Sequence, residues 1–181
     1  MLRIYLYRHA EVVFDNVTRL PMTQFRIATD LYNTSPIGPY EPPQPVPPCD
    51  YVVTSNLRRS PETAMDIFGF MDVNDPLFRE ADLPDLPHWP FKARPSTLFT
   101  IARLFWFLGR SVNCESKRQF QDRVDRAADT LIHAAENHQA VALIGHGWFN
   151  RALVKALQNK GFTPEVPPKH KHGTYTLFTR A

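Results

Sequence analysis

The stretch "AVALIGHGWFNRALVKALQNKG", residues 140–161, changes character part-way along. Residues 140–145 are a short apolar run of the kind that forms a buried β-strand. The part from Trp148 onward reads as a helix stopped by Gly161. Three further runs have the same β-branched or aromatic character: "RIYLY" (3–7), "YVVTS" (51–55) and "TYTLFT" (174–179). After "YVVTS" comes "SPETAMDIFGF" (60–70), where Ser60 suits a helix cap, Pro61 the first turn and Glu62 the positive end of the helix dipole. The longest amphipathic stretch, "SKRQFQDRVDRAADTLIHAAENH" (116–138), places Phe120, Val124, Ala127, Leu131 and Ala134 or Ala135 on one side. Strands alternating with helices predict an α/β chain, a three-layer α/β/α sandwich around a mostly parallel central sheet.

Two segments depart from this alternation. "NTSPIGPYEPPQPVPPCD" (33–50) is too rich in proline for a sheet ladder and predicts a stiff, extended surface connection. "DLPDLPHWPFKARP" (82–95) is a second irregular insertion. Neither resembles a domain linker, so residues 1–181 are expected to form a single domain, a size at which one core is sufficient.

The chain opens directly on a strand pattern without the features of a secretory signal, which predicts a cytoplasmic protein. The most apolar helical window, "LFTIARLFWFLG" (98–109), is interrupted by Arg103 and falls short of a bilayer span, so no membrane association is expected and the window is read as a core helix. Cys49 and Cys114 lack CxxC spacing, which argues against a disulfide framework or a zinc site. The net charge of +3 is spread along the chain, so an anionic small substrate is expected rather than nucleic acid.

In an open parallel sheet, ligands bind where the carboxyl ends of the strands meet loops and helix N-termini. Three of these strand ends carry suggestive groups: Arg8 and His9, "SNLRRSPETA" (55–64), and "GHGWFNR" (145–151) with His146. Singly, each has an ordinary reading, an Arg–His pair as solvated surface and a lone histidine as a satisfied core residue. Together they suit a phosphate. A phosphoryl group in flight carries charge on its equatorial oxygens, and arginine forks clamp such oxygens. A neutral imidazole can act as the nucleophile, and no metal or cofactor is then required. The leaving oxygen needs a proton, which a carboxylic acid at the pocket mouth can give.

On these residues the sequence resembles the histidine phosphatase superfamily, also called phosphoglycerate mutase-like. "YRHAE" (7–11) resembles its opening Arg-His-Gly motif, "SNLRRSPETA" its second signature, "PLFREAD" (76–82) the segment of the proton donor, and "ALIGHGWFNRAL" (142–153) the second-histidine motif. "PMTQFRIATD" (21–30) is similar to the helix start after the first motif. The resemblance implies a phosphohistidine on His9, phosphate binding by Arg8, Arg59 and His146, and Glu80 as the proton donor. Asp82, Asp85 and Glu11 are alternative acids.

The sequence departs from the family at Ala10, which replaces the usual glycine, and in the short segment between Arg8 and Pro21, where Asn16 and Arg19 stand as candidate remnants of a substrate loop. Trp148 stands where small residues are common. The expectation is a metal-independent phosphatase acting on a phosphorylated small molecule or phosphoprotein. The alternatives are a catalytically weak regulator that binds a phosphorylated ligand, and a phosphomutase. "KHKHG" (169–173) is read as a solvated basic loop.

Overall fold

In the computed structural model, which describes residues 1–181, the strands are β1 (Leu2–Arg8), β2 (Leu20–Pro21), β3 (Tyr51–Thr54), β4 (Val73–Asn74), β5 (Lys92–Ala93), β6 (Ala140–Gly145), β7 (Thr163–Pro164) and β8 (Tyr175–Arg180). The helices are α1 (Phe25–Thr34), α2 (Arg59–Phe68), α3 (Pro95–Phe107), α4 (Lys117–His138) and α5 (Gly147–Asn159). The four apolar runs become the four long strands. They lie in a six-stranded sheet of order β4-β3-β6-β1-β8-β7, parallel from β4 to β1, with β8 antiparallel to both of its neighbours.

Alternation along the strands divides the core between the two sheet faces. Ile4, Leu6, Val53, Val141 and Leu143 meet α4 and α5 on one face through Phe120, Val124, Leu131, Phe149 and Leu153. Tyr5, Tyr7, Val52, Ala142 and Ile144 meet Ala64 and Ile67 of α2 on the other. The sheet and the helices on its two faces are the three expected layers. All six residues of β6 are buried, because it lies between β1 and β3 with helices on both sides.

Local signals set the helix ends. Ser116 and Gln119 form a reciprocal capping box at the start of α4. Gly69 ends α2 in the left-handed region at φ 75°, and Gly161, at φ 86°, follows α5. Ser60 is not the expected cap. Helix α2 begins at Arg59, two residues earlier than a Ser60 cap implies, and the buried Ser60 hydroxyl accepts from Ser55 N–H (3.0 Å) and donates to the Ile144 carbonyl (2.5 Å). A hydroxyl there satisfies two buried backbone groups from different strand ends, a greater gain than one exposed cap bond.

The window at 98–109 forms α3, but it is covered on one side only. Leu98, Ala102 and Trp106 are buried, whereas Leu104, Phe107 and Leu108 are exposed. Leu98 and Ala102 join Met22, Phe25 and Leu86 in a small third cluster, which ties α1 and the irregular segment at 82–95 together. The short pair β2 and β5 closes the same region. The proline-rich connection after α1 contributes no strand, and Glu62 fixes its start by accepting from Ile37 N–H (2.9 Å). No helix is long and apolar enough to cross a membrane.

Candidate active site

The pairing of β1 with β6 puts Arg8 level with Gly145, and His9 N–H donates to the Gly145 carbonyl (3.1 Å). His9 and His146, each one residue past its strand, therefore leave the sheet side by side with ring centroids 5.0 Å apart. Arg59, the first residue of α2, reaches the same point and donates from Nε to His9 Nε2 (3.2 Å). These three side chains are almost wholly buried. Sequence separation is overcome by the parallel register, which aligns the C-terminal strand ends.

Each group is held from behind. His9 Nδ1 donates to the Ala10 carbonyl (2.6 Å), which leaves the lone pair on Nε2. Ala10 N–H donates to Thr63 Oγ1 (2.9 Å), so the threonine of α2 fixes the turn that carries His9. His146 Nε2 shares a hydrogen with Ser55 Oγ (2.6 Å), and its Nδ1 is buried without a partner. The Arg59 guanidinium is placed by Asn33 Oδ1 (3.0 Å) and lies over the Tyr32 ring (4.9 Å), so the end of α1 forms one wall. Arg8 donates to the His170 carbonyl (2.5 Å), and its Nε is buried without a partner.

The glycines flanking His146 make room for protein groups. A Cβ on Gly147 would lie 3.3 Å from Arg8 Cζ, and one on Gly145 would lie 2.0 Å from Asn150 Oδ1. Asn150 also donates to the Tyr7 carbonyl (2.7 Å), which ties α5 to β1. Gly145→Ala is therefore expected to displace Asn150 and cost about 1–3 kcal/mol, as overpacking does. A urea midpoint unchanged from wild type would show that Asn150 yields freely.

Glu80 sits at the N-terminus of α5. Its carboxylate accepts from Trp148 N–H (3.0 Å), Phe149 N–H (2.8 Å) and Ala81 N–H (2.9 Å). Two buried arginines hold the backbone on either side of it. Arg123 donates to the carbonyls of Leu77 (2.9 Å), Arg79 (2.8 Å) and Glu80 (3.4 Å), and pairs with Glu115 (2.5 Å). Arg103 donates to the carbonyls of Ala81 (2.6 Å) and Asp82 (3.1 Å). Of the alternative acids, Asp82 pairs with Arg79 and Asp85 with Arg26, while Glu11 is exposed.

Burial, and then the Arg59 guanidinium, hold both His9 and His146 well below the ordinary imidazole value. Burial also lowers Arg8 and Arg59, and Glu80 opposes this in both. As pH falls below about 6.5, the unfolded chain takes up a proton at each of the two histidines while the folded site does not. Stability should then fall by about 1.4 kcal/mol per pH unit for each, until the folded imidazoles protonate as well. Urea midpoints at pH 7.5, 6.5 and 5.5 should drop mainly over the last step, with the His9 and His146 Cε1–H resonances still in their neutral positions at pH 6. Resonances already shifted at pH 6 would contradict this.

Sequence reasoning missed several of these groups. His172, taken as part of a solvated loop, donates from Nδ1 to the His9 carbonyl (3.0 Å), and its ring lies 4.9 Å from that of His9. The Asn16 side chain accepts from Ser96 N–H (2.8 Å) at the start of α3. Arg19 is exposed. A signal for Arg123 did exist: it lies on the apolar stripe of α4 beside Phe120 and Val124, where a charge must find partners.

The family model for the histidine phosphatase superfamily (branch 1) matches residues 45–179. That span includes Arg59, Glu80 and His146 and begins after Arg8 and His9. No curated protein matches the sequence significantly. Among solved structures, YhfR of Bacillus stearothermophilus is similar at TM-score 0.58 and 20% identity, covering 98% of this chain and 90% of its own. The alpha-ribazole phosphatase of Shigella flexneri is similar at 0.58 and 16%, with coverage of 97% and 89%. The mycobacterial glucosyl-3-phosphoglycerate phosphatase gives 0.51 and 20%, with coverage of 87% and 80%. These likenesses show a shared fold, and the matched family model, which spans most of the chain, establishes that it belongs to the histidine phosphatase superfamily.

Proposed function

We propose that the chain is a metal-independent phosphatase that hydrolyses a phosphomonoester or phosphoprotein through a phosphohistidine on His9. The observation that carries this reading is the neutral His9 Nε2, its lone pair facing the Arg59 guanidinium inside a buried cluster with His146. Arg59 and Arg8 hold the equatorial oxygens, and Arg8 Nε, without a protein partner, is free to do so. In this reading the hydrogen shared by Ser55 Oγ and His146 Nε2 belongs to the serine, and the imidazole proton sits on Nδ1, the buried nitrogen that a phosphate oxygen would satisfy.

In the first step, which Glu80 enters as the carboxylic acid, the N–P bond forms as the ester P–O bond breaks, and Glu80 gives its proton to the leaving oxygen. In the second, water attacks phosphorus, the N–P bond breaks, and Glu80 takes the water's proton. The test is phosphate release from 4-nitrophenyl phosphate in excess EDTA, with acid-labile, base-stable label on the protein during turnover. Release without label would contradict the covalent route.

The second reading is a regulator that binds a phosphorylated ligand and turns it over weakly. It is favoured by the buried Ala10 methyl beside the nucleophile. Tight phosphate binding without phosphate release from any ester would support it. A phosphomutase would instead need a bisphosphate primer and would move phosphate between positions of one molecule.

A further inference from the structure

A groove of about 630 Å³ runs along α5 away from the His9 cluster. Trp148 and His170 form its inner end, and both belong to the frame of the site: Trp148 N–H bonds Glu80 (3.0 Å), and the His170 carbonyl accepts from Arg8 (2.5 Å). Outward from Trp148, Arg151 and Lys155 recur at helical spacing along the groove. At 1.5 Å per residue, Arg151 lies roughly 7 Å and Lys155 roughly 14 Å beyond His146 along the axis.

The lining is aromatic and cationic, with no carboxylate among its residues. Neither Arg151 nor Lys155 forms an ion pair, and Arg151 lies over the Trp148 ring at 4.9 Å. Apolar lining with unpaired cations fits a ligand with a flat apolar body and a negative charge. The buried cluster excludes bulk, since His9 is 2% and His146 0% exposed. A phosphate must therefore enter on a slender arm, and the rest of its molecule needs an adjoining space. The groove has the volume of a small-molecule site.

We propose that this groove is the leaving-group subsite and selects a phosphomonoester with an aromatic or heterocyclic body and a second anionic group, which Arg151 meets. The proposal rests on the phosphatase reading above and names the substrate class for it. The body lies against Trp148, and Lys155 serves acids carried further out.

The test compares phenyl phosphate with 4-carboxyphenyl phosphate, which differ in the second charge, on the wild-type chain and on Arg151→Gln. Arg151 is exposed, so its replacement leaves the core intact. In the wild type the carboxylated ester should show a KM about three- to fivefold lower, the scale of an exposed ion pair. In Arg151→Gln the ratio should fall to near one. Equal KM values in the wild type, or a ratio unchanged in the variant, would overturn the subsite. Turnover of neither ester would count against the phosphatase reading, and calorimetric titration of the same esters would then decide the groove separately. Carboxylate-dependent affinity lost with Arg151 would support it, and equal or undetectable affinity for both esters would overturn it.

Discussion

Replacing His9 with alanine is expected to reduce turnover of 4-nitrophenyl phosphate by about 10⁴-fold or more, with phosphate binding largely kept. The ester has a good leaving group, so its hydrolysis makes little demand on a general acid and reports on the nucleophile and the clamp. Arg8, Arg59 and His146 stay in place, since the support of Arg8 comes from the His170 carbonyl, that of Arg59 from Asn33 and Tyr32, and that of His146 from Ser55. His9→Ala removes a buried imidazole and with it the bonds to Ala10 and Arg59, so its thermal midpoint should be measured alongside. A folded variant that keeps more than about a hundredth of wild-type turnover would eliminate His9 as the nucleophile. If wild type and variant are equally inert while both bind phosphate tightly, the regulatory reading stands instead.

Much of the frame of the candidate site is legible in the sequence. The run at 140–145 and the helix after it follow from apolar pattern alone, and so do the other long strands, because period and burial are local properties of the chain. The convergence of Arg8, His9, Arg59 and His146 follows once the strands are parallel, since all lie just at or beyond C-terminal strand ends. What stayed hidden was the support. Asn33 and Tyr32 reach Arg59 from the end of α1, and His172 reaches His9 from the loop before β8. No local pattern tells such residues from solvated ones, because their partners are set by packing between distant segments. Ser60 shows the same limit, with a sequence reading as a cap and a hydroxyl spent on joining β3 to β6.

Glu80→Gln is expected to separate the proton-donor role proposed for this group from its place as an anchor of α5. As the proton donor, Glu80 matters in proportion to the basicity of the leaving oxygen. Turnover of an alkyl phosphate should therefore fall by about 10²–10⁴-fold, and that of 4-nitrophenyl phosphate by less than about tenfold. As an anchor, the same group accepts from Trp148, Phe149 and Ala81 N–H with both oxygens. A carboxamide has one oxygen to offer and turns an NH2 toward a backbone donor, so the N-terminus of α5 loses an acceptor and a negative charge there. That loss should cost about 1 kcal/mol of stability. It acts alike on every ester, because it moves His146 and the turn beside Arg8 rather than a proton. The slope of log kcat against leaving-group pKa distinguishes the two. It should steepen in Glu80→Gln if Glu80 is the acid, whereas an equal fall for all esters would leave Glu80 only its place at the helix end. Arg123 holds the Leu77, Arg79 and Glu80 carbonyls without approaching the proton in transit, so Arg123→Met should lower stability and all rates together and leave that slope unchanged.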